Sequence, residues 1–148
     1  MKFKKLHPDA QLPKRATPGA SGMDLVAIEN TILNPGETQL IKTGLAVEIP
    51  FGFEMQIRPR SGLSLKTNLR ICNAPGTLDS DYRGEICVII QNITPPDPDF
   101  STDGRILIKK GDRIAQAVIC PVIMTDPEWT DELSDTERGE NGFGSSGT

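Results

Sequence analysis

Proline and glycine interrupt this 148-residue sequence along its whole length and limit the regular elements it can form. The chain has 12 Pro and 14 Gly, which cut it into short segments. Because both residues favour turns and end helices and strands, their distribution predicts many short strands joined by turns. We therefore expect one all-β domain with at most one short helix.

The hydrophobic pattern locates the strands. Strand-like segments are residues 38–49, 53–58, 85–93, 105–108 and 114–123. Residues 53–58 alternate apolar and polar side chains, which is typical of a half-buried strand. Gly44 predicts a bend or bulge inside the first segment, and the apolar run 86–90 predicts a strand buried on both faces. Ser61–Lys66 is the best candidate for a helix, of one or two turns.

Composition excludes several classes of function. The net charge is −4 and the pI about 5.0, which argues against nucleic-acid binding through bulk charge. The longest wholly apolar run is too short for a membrane span, and no signal peptide follows the N-terminal lysines, so we expect a cytoplasmic protein with no membrane partner. His7 is the only histidine, which argues against a His-based triad or a His/Cys zinc site.

The three cysteines, Cys72, Cys87 and Cys120, form no C-x-x-C pair and lie in apolar, strand-like settings. An odd number of such thiols is typical of free cysteines in a reducing compartment. We expect all three to be buried and unpaired.

Five polar segments carry residues from which a site could be built: residues 20–25, 58–64, 73–84, 111–116 and 138–148. In the second segment, two Arg, two Ser and Gly62 lie where a strand turns into a helix, and free N–H groups at a helix start accept phosphate readily. In the third, Asp79 and Asp81 stand close to Tyr82, and an ionised carboxylate there could deprotonate a water. Taken alone, an N-capping Ser with surface arginines in the second segment and an ordinary polar hairpin in the third explain these residues better than a site does.

The other three segments are weaker signals individually. Asp24 follows a glycine turn. Gln116 lies among apolar neighbours on a strand, where a buried amide must find partners. The composition of the C-terminal Gly/Ser segment is typical of a flexible tail, yet the segment contains an Arg and a Phe that a linker does not need. Its glycines and hydroxyls could also wrap phosphates.

Together and in this order, the five segments resemble the five sequence motifs of the trimeric dUTPase family, over nearly the whole chain from residue 20 to residue 148. The resemblance implies hydrolysis of dUTP to dUMP and pyrophosphate, which limits uracil incorporation into DNA and supplies dUMP for thymidylate synthesis. It also implies a β jelly-roll subunit at residues 1–130 and a flexible C-terminal arm at residues 131–148. Three subunits would form a homotrimer whose shared sites each combine motifs from different subunits, and the arm would close the site.

The resemblance assigns roles to single residues. Asp79 would activate the water that attacks the α-phosphorus, and Tyr82 would lie under the deoxyribose and exclude a 2′-hydroxyl. Asp24 would act through waters on Mg²⁺, for which no direct protein ligand is expected. The residues expected around uracil are Asn73, Gly76, Thr77, Leu78, the main chain of Cys87, and Phe143. The residues expected around the phosphates are Arg60, Ser61, Gly62, Gln116, Arg138, Gly144, Ser145 and Ser146.

Two departures from the family pattern lie in the arm, where Asn141 precedes Gly142-Phe143 in place of a more usual Gly and Ser146 replaces a more usual Thr. Two alternatives stay open from sequence alone. One is an enzyme of the same fold that resembles dCTP deaminase, although the Asp-Ser-Asp-Tyr pattern disfavours it. The other is a catalytically silent protein that binds partners, for which residues 95–104 are the candidate surface.

Overall fold

The computed structural model describes residues 1–95 and 103–142, and the expectations for Phe143, Gly144, Ser145 and Ser146 lie outside these ranges. Within them the chain forms eleven strands and one short helix. In chain order the elements are β1 Lys2–Lys5, β2 Met23–Val26, β3 Thr31–Leu33, β4 Thr38–Lys42, β5 Leu45–Glu48, β6 Phe53–Arg58, α1 Ser61–Lys66, β7 Leu69–Ile71, β8 Gly76–Leu78, β9 Cys87–Asn92, β10 Ile106–Ile108 and β11 Arg113–Pro121.

Two larger sheets and two strand pairs make up the domain. The four-stranded sheet has the order β2-β11-β6-β8, and the three-stranded sheet has the order β4-β9-β7. Strands β1 and β5 form one pair and β10 and β3 the other. Every pairing is antiparallel. The prediction of an all-β jelly-roll subunit with at most one short helix is confirmed.

Apolar side chains from both larger sheets meet in one core. Met55 and Ile57 of β6 are buried, and so are Val88 and Ile90 of β9. In β6 the buried side chains alternate with partly exposed ones, as the sequence pattern predicts. Burial of this apolar surface is the main favourable contribution to folding.

Gly44 separates β4 from β5, as predicted for residues 38–49. Its φ of 67° lies in the left-handed region, which glycine adopts without the steric cost that a Cβ imposes. The helix is also confirmed, since α1 covers Ser61–Lys66. Its N-cap residue is Arg60, and within the described ranges no side chain caps it, so Ser61 is not the capping residue that the simpler reading required.

The prediction that the strand at residues 86–90, β9, is buried on both faces is wrong for a single copy of the chain. Val88 and Ile90 face the core, whereas Cys87 and Ile89 are only partly buried. The strand lies in the middle of a sheet that has a core on one side, so alternate side chains point away from that core.

The prediction of three buried cysteines is also wrong. All three are free, but Cys72 is exposed, and Cys87 and Cys120 are partly exposed. Each lies at the end of a strand or just beyond it, where an apolar sequence setting does not guarantee a buried position.

After β11 the chain leaves the sheets. Residues 124–141 are exposed and form neither helix nor strand, and Trp129 and Leu133 carry their apolar side chains into solvent. The boundary placed at residue 130 stays a prediction. In the two described ranges, no helix has the length and apolar character needed to cross a membrane.

Candidate active site

Strand pairing gathers the first, second and fourth motifs around one pocket. β11 lies between β2 and β6, so Gln116 stands opposite Asp24 on one side and Arg58 on the other. The chain leaves β6 directly into α1, which brings Arg60 and Ser61 to the same place. We call this the phosphate pocket; its lining residues are Ala16, Ala20, Ser21, Gly22, Asp24, Arg60, Ser61, Gly62 and Gln116.

Asp24 holds two arginines at the rim of the phosphate pocket. Its Oδ1 accepts a hydrogen bond from Nε of Arg60 at 2.8 Å, and its Oδ2 accepts one from Nη1 of Arg113 at 3.1 Å. Nη1 of Arg60 also donates to the Arg113 carbonyl at 3.3 Å. A guanidinium has five N–H donors, so Arg60 is fixed in place while donors remain for an anion.

Arg113 is a neighbour of this pocket that the sequence patterns did not single out. The register between β2 and β11 could identify it, because it places Arg113 opposite Val26, two residues along β2 from Asp24. A bulge between Arg113 and Ala115 shifts this register locally, and no pattern in the sequence predicts it.

The Gln116 amide is anchored rather than free. Its Nε2 donates to the Pro59 carbonyl at 2.8 Å, which fixes the residue just before Arg60. Its Oε1 lies only 2.1 Å from the position that a Cβ on Gly22 would occupy. The half-buried amide therefore has the partner that its apolar setting demands, and Gly22 provides the space for it.

A second pocket, the hairpin pocket, collects the third motif. β8 pairs with β6 so that Gly76 lies opposite Ile57 and Leu78 opposite Met55, which fixes the hairpin against the sheet. The pocket is lined by Leu40, Ile57, Asn73, Gly76, Thr77, Leu78, Asp79, Tyr82, Glu85, Cys87, Val88 and Ile89. Every third-motif residue predicted to contact substrate lines it, together with Cys87.

The turn after β8 presents Asp79 and Tyr82 together. Asp79 is exposed, and its carbonyl accepts a hydrogen bond from the Tyr82 amide at 3.2 Å. The Tyr82 hydroxyl donates to the Glu85 carbonyl at 3.1 Å, and the ring is 44% exposed. The carboxylate and the aromatic face are thus held near each other at the mouth of the pocket.

Glu85 is a second lining residue that the sequence did not single out. Its Oε1 accepts a hydrogen bond from the Gly44 amide at 2.8 Å, which ties the start of β9 to the β4–β5 bend. Burial, and next the Glu85 carboxylate, raise the pKa of the Cys87 thiol to about 11, while Lys42 opposes the shift. Cys87 is therefore a neutral thiol at physiological pH, unsuited to act as a nucleophile.

The two pockets share no lining residue among the described parts of the chain. Arg138 lines neither of them, and its Nε donates to the Asn141 carbonyl at 2.8 Å within its own segment. A single copy of the chain thus presents a polar, arginine-bearing pocket and a mainly apolar pocket as separate surfaces. Within the described ranges, no group of three or more His, Cys, Asp and Glu side chains could hold a metal ion.

The dUTPase family model matches residues 8–147 of the chain, a range that contains all five motifs except the last residue. The chain belongs to the dUTPase family. Family membership confirms the prediction made from the five motifs.

Relatives of this dUTPase family member match it over nearly their full length. A deoxyuridine 5'-triphosphate nucleotidohydrolase of Nautilia profundicola is 52% identical over 147 residues, which cover 99% of this chain and 98% of the relative. The solved dUTPase of Staphylococcus bacteriophage 80alpha with dUpNHpp superposes with a TM-score of 0.92 at 34% identity, covering 99% and 98% of the two chains.

A third relative concerns the metal. A variant dUTPase from phage phi11 of S. aureus was solved to reveal the coordination of a structural Mg(II) ion. It superposes with a TM-score of 0.84 at 28% identity and covers 90% of this chain and 98% of its own.

Proposed function

We propose that this member of the dUTPase family hydrolyses dUTP to dUMP and pyrophosphate. The observation that most directly supports this proposal is the hairpin pocket. There Asp79, Tyr82 and Asn73 line one cavity together with Cys87 at the start of β9. Relatives about half identical over the whole chain are named deoxyuridine 5'-triphosphate nucleotidohydrolases. They are hydrolases that act on a phosphoric anhydride, and a solved relative holds the nucleotide analogue dUpNHpp.

Uracil and deoxyribose are assigned to the hairpin pocket. Asn73, the strand β8 and the main chain of Cys87 surround the base with fixed donors and acceptors. A 5-methyl group is excluded by shape, and cytosine is rejected because its reversed donor and acceptor pattern would leave buried groups unpaired. Tyr82 lies against the sugar, where a 2′-hydroxyl would collide with the ring.

The chemical step is assigned to Asp79. Its carboxylate orients a water and takes one proton from it as the water oxygen bonds to the α-phosphorus. The bond from the α-phosphorus to the α–β bridging oxygen breaks, and pyrophosphate leaves with that oxygen. Arg60, Ser61 and Gln116 hold the phosphate chain, so that the charge developing on the leaving group faces a fixed guanidinium and oriented N–H donors.

The active site is proposed to be shared between subunits of a homotrimer. Two facts support this: the phosphate pocket and the hairpin pocket are separate on one chain, and apolar side chains are exposed on its sheets. Ile32 and Leu107, for example, stand opposite each other in the β3–β10 pair and are 51% and 46% exposed. An exposed apolar pair of this kind favours contact with another subunit.

Complementation tests this composite site. Arg60→Ala and Asp79→Asn subunits, each inactive alone, should give active mixed trimers when they are co-expressed. If each site combines two subunits at random, about one quarter of the sites would carry both intact residues. No recovery of activity in trimers shown by native mass spectrometry to be mixed would mean that both residues must come from one chain.

Mg²⁺ is the proposed cofactor, and the donors of the phosphate pocket fit it. Mg²⁺ prefers hard oxygen ligands and retains several waters. Both Asp24 oxygens already accept hydrogen bonds from arginines, which suits this carboxylate to bonding metal-bound waters rather than to direct ligation. Bound to the triphosphate oxygens, Mg²⁺ would spread their negative charge.

Residues 131–148 are proposed to form an arm that closes the site, with Arg138 gripping the terminal phosphates. The exposure of the described part of this segment, residues 131–141, supports an arm that is free to reach another surface. An arm of this kind becomes ordered on the ligand and excludes bulk solvent, apart from the attacking water.

The test of function is pyrophosphate release from dUTP, dCTP, dTTP and UTP with Mg²⁺. Wild type should turn over dUTP alone, and Asp79→Asn should lose at least about a hundredfold, as expected for a missing general base. Asp81→Asn removes a carboxylate from the same turn and is the matched control. Full activity of Asp79→Asn would show that the base is misassigned. Release of ammonia from dCTP, measured in parallel, would favour the deaminase alternative.

A further inference from the structure

Gly84 lies directly against the Tyr82 ring. A Cβ built on Gly84 would lie 2.3 Å from Oη, 2.6 Å from Cζ and 3.0 Å from Cε2 of that ring. Ordinary van der Waals contact to a Cβ begins at about 3.4 Å. The ring therefore occupies the volume that any side chain at position 84 would need.

The backbone itself does not require glycine at this position. The φ of Gly84 lies outside the left-handed region, unlike that of Gly44. An alanine could adopt the same backbone conformation without strain. The three atoms nearest to a Cβ at position 84 in the described parts of the chain all belong to the Tyr82 side chain.

The same hydroxyl end of the ring is held by the segment that leads into β9. The Tyr82 hydroxyl donates to the Glu85 carbonyl at 3.1 Å, and the Glu85 carboxylate accepts from the Gly44 amide at 2.8 Å. The Ile86 amide also donates to the Leu45 carbonyl at 2.7 Å. The hydroxyl end of Tyr82 thus lies against Gly84 and Glu85, in a segment that is bonded to the β4–β5 bend.

We propose that Gly84 is a specificity-determining positioning residue, whose missing side chain lets Tyr82 keep the position from which it admits deoxyribose and excludes ribose. The inference rests on the proposed function, which places the sugar against Tyr82. With alanine at position 84, the Tyr82 hydroxyl must retreat by about 1 Å to regain ordinary contact distance, and it loses its bond to the Glu85 carbonyl. Because Tyr82 is 44% exposed, the ring has room to leave the position that this bond fixes.

The readout is discrimination between dUTP and UTP, the ratio of their kcat/KM values. Gly84→Ala should lower this ratio by about tenfold or more, since a displaced ring either obstructs deoxyribose or no longer collides with the 2′-hydroxyl. Gly19→Ala is the matched control, because Gly19 lies outside the motifs, has no left-handed φ and faces open space. The control should leave the ratio at the wild-type value.

A double-mutant cycle separates positioning from a general structural role. Tyr82→Ala removes the ring, so adding Gly84→Ala to it should change neither the ratio nor the melting temperature further. If Gly84→Ala alone fails to fold, the comparison of Tyr82→Ala with the double variant still tests whether Gly84 acts through Tyr82. A further loss of either property in the double variant would show that Gly84 acts independently of Tyr82 and would overturn the proposal.

Failure of the inference is distinguishable from failure of the proposed function. If the wild-type protein does not hydrolyse dUTP, the function itself is wrong. If wild type hydrolyses dUTP and rejects UTP, but Gly84→Ala keeps the wild-type ratio of kcat/KM values, the function stands and the role of Gly84 is refuted.

Discussion

The buried Asn92 side chain offers a stringent test of how the domain is held together, through the replacement Asn92→Ala. Asn92 is 0% exposed at the end of β9. Its Nδ2 donates to the carbonyls of Leu33 at 3.0 Å and Gly104 at 2.8 Å. Its Oδ1 accepts from the amide and the hydroxyl of Thr94 at 3.0 Å and 2.6 Å. One amide thus ties three separate segments together.

The expected cost follows from these four bonds. Hydrogen bonds contribute about 0.5–1.5 kcal/mol each, and a buried group left without its partner costs about 1–3 kcal/mol. The Leu33 carbonyl belongs to a residue that is 0% exposed, so it would bear this larger penalty. Water can serve the less buried groups at Gly104 and Thr94. We therefore expect Asn92→Ala to lower the free energy of unfolding by about 3–5 kcal/mol.

Urea unfolding followed by far-UV circular dichroism measures this loss, at one fixed protein concentration because assembly would shift the midpoint. Asn68→Ala is the matched control, since its amide makes a single exposed bond to the Thr94 hydroxyl at 3.2 Å. The control should cost less than about 0.5 kcal/mol. A loss below about 1 kcal/mol for Asn92→Ala would refute the view that this amide ties the segments together.

Two further predictions concern the pockets. Gly22→Ala should push the Gln116 amide from its place, because Oε1 lies 2.1 Å from the added Cβ. In a pyrophosphate assay, kcat/KM for dUTP should fall while the ratio of the kcat/KM values for dUTP and UTP stays unchanged. A changed ratio would contradict this prediction. Cys72 should react first with a thiol reagent at pH 8, because it is exposed. Burial and the Glu85 carboxylate raise the pKa of the Cys87 thiol to about 11, so that thiol stays protonated until the pH approaches 11. A fast phase that survives Cys72→Ser would contradict the second prediction.

The sequence predicts those parts of the fold that depend on neighbouring residues. β6 and α1 appear at the residues that the local patterns indicated. The hairpin pocket was also predictable as a cluster, because residues 73–82 are contiguous and a turn keeps them together. Periodicity and turn chemistry are local signals, and these elements need nothing more.

The parts that could not be predicted depend on which strands meet. The contact of Asp24 with Arg113 joins residues 89 positions apart, through a register that includes a bulge. The one-sided burial of β9 likewise depends on where its sheet lies in the domain, and the hydrophobicity of residues 86–90 does not contain that information. The exposure of Cys72 has the same origin, because an apolar setting in sequence does not show which face a strand end presents.

Glycines illustrate this limit in the active site itself. A motif shows that a glycine is present but not whether it provides a backbone conformation or an empty volume. Gly111, at the start of the fourth motif, has a left-handed φ of 93° and open space around it, so it provides a backbone conformation. Gly22 and Gly84 provide empty volume, because the side chains of Gln116 and Tyr82 fill the space beside them. Substitution at the first kind of glycine strains the backbone and acts on folding. Substitution at the second kind moves a side chain proposed to touch the substrate, so its main effect should appear in kcat/KM and specificity rather than in stability.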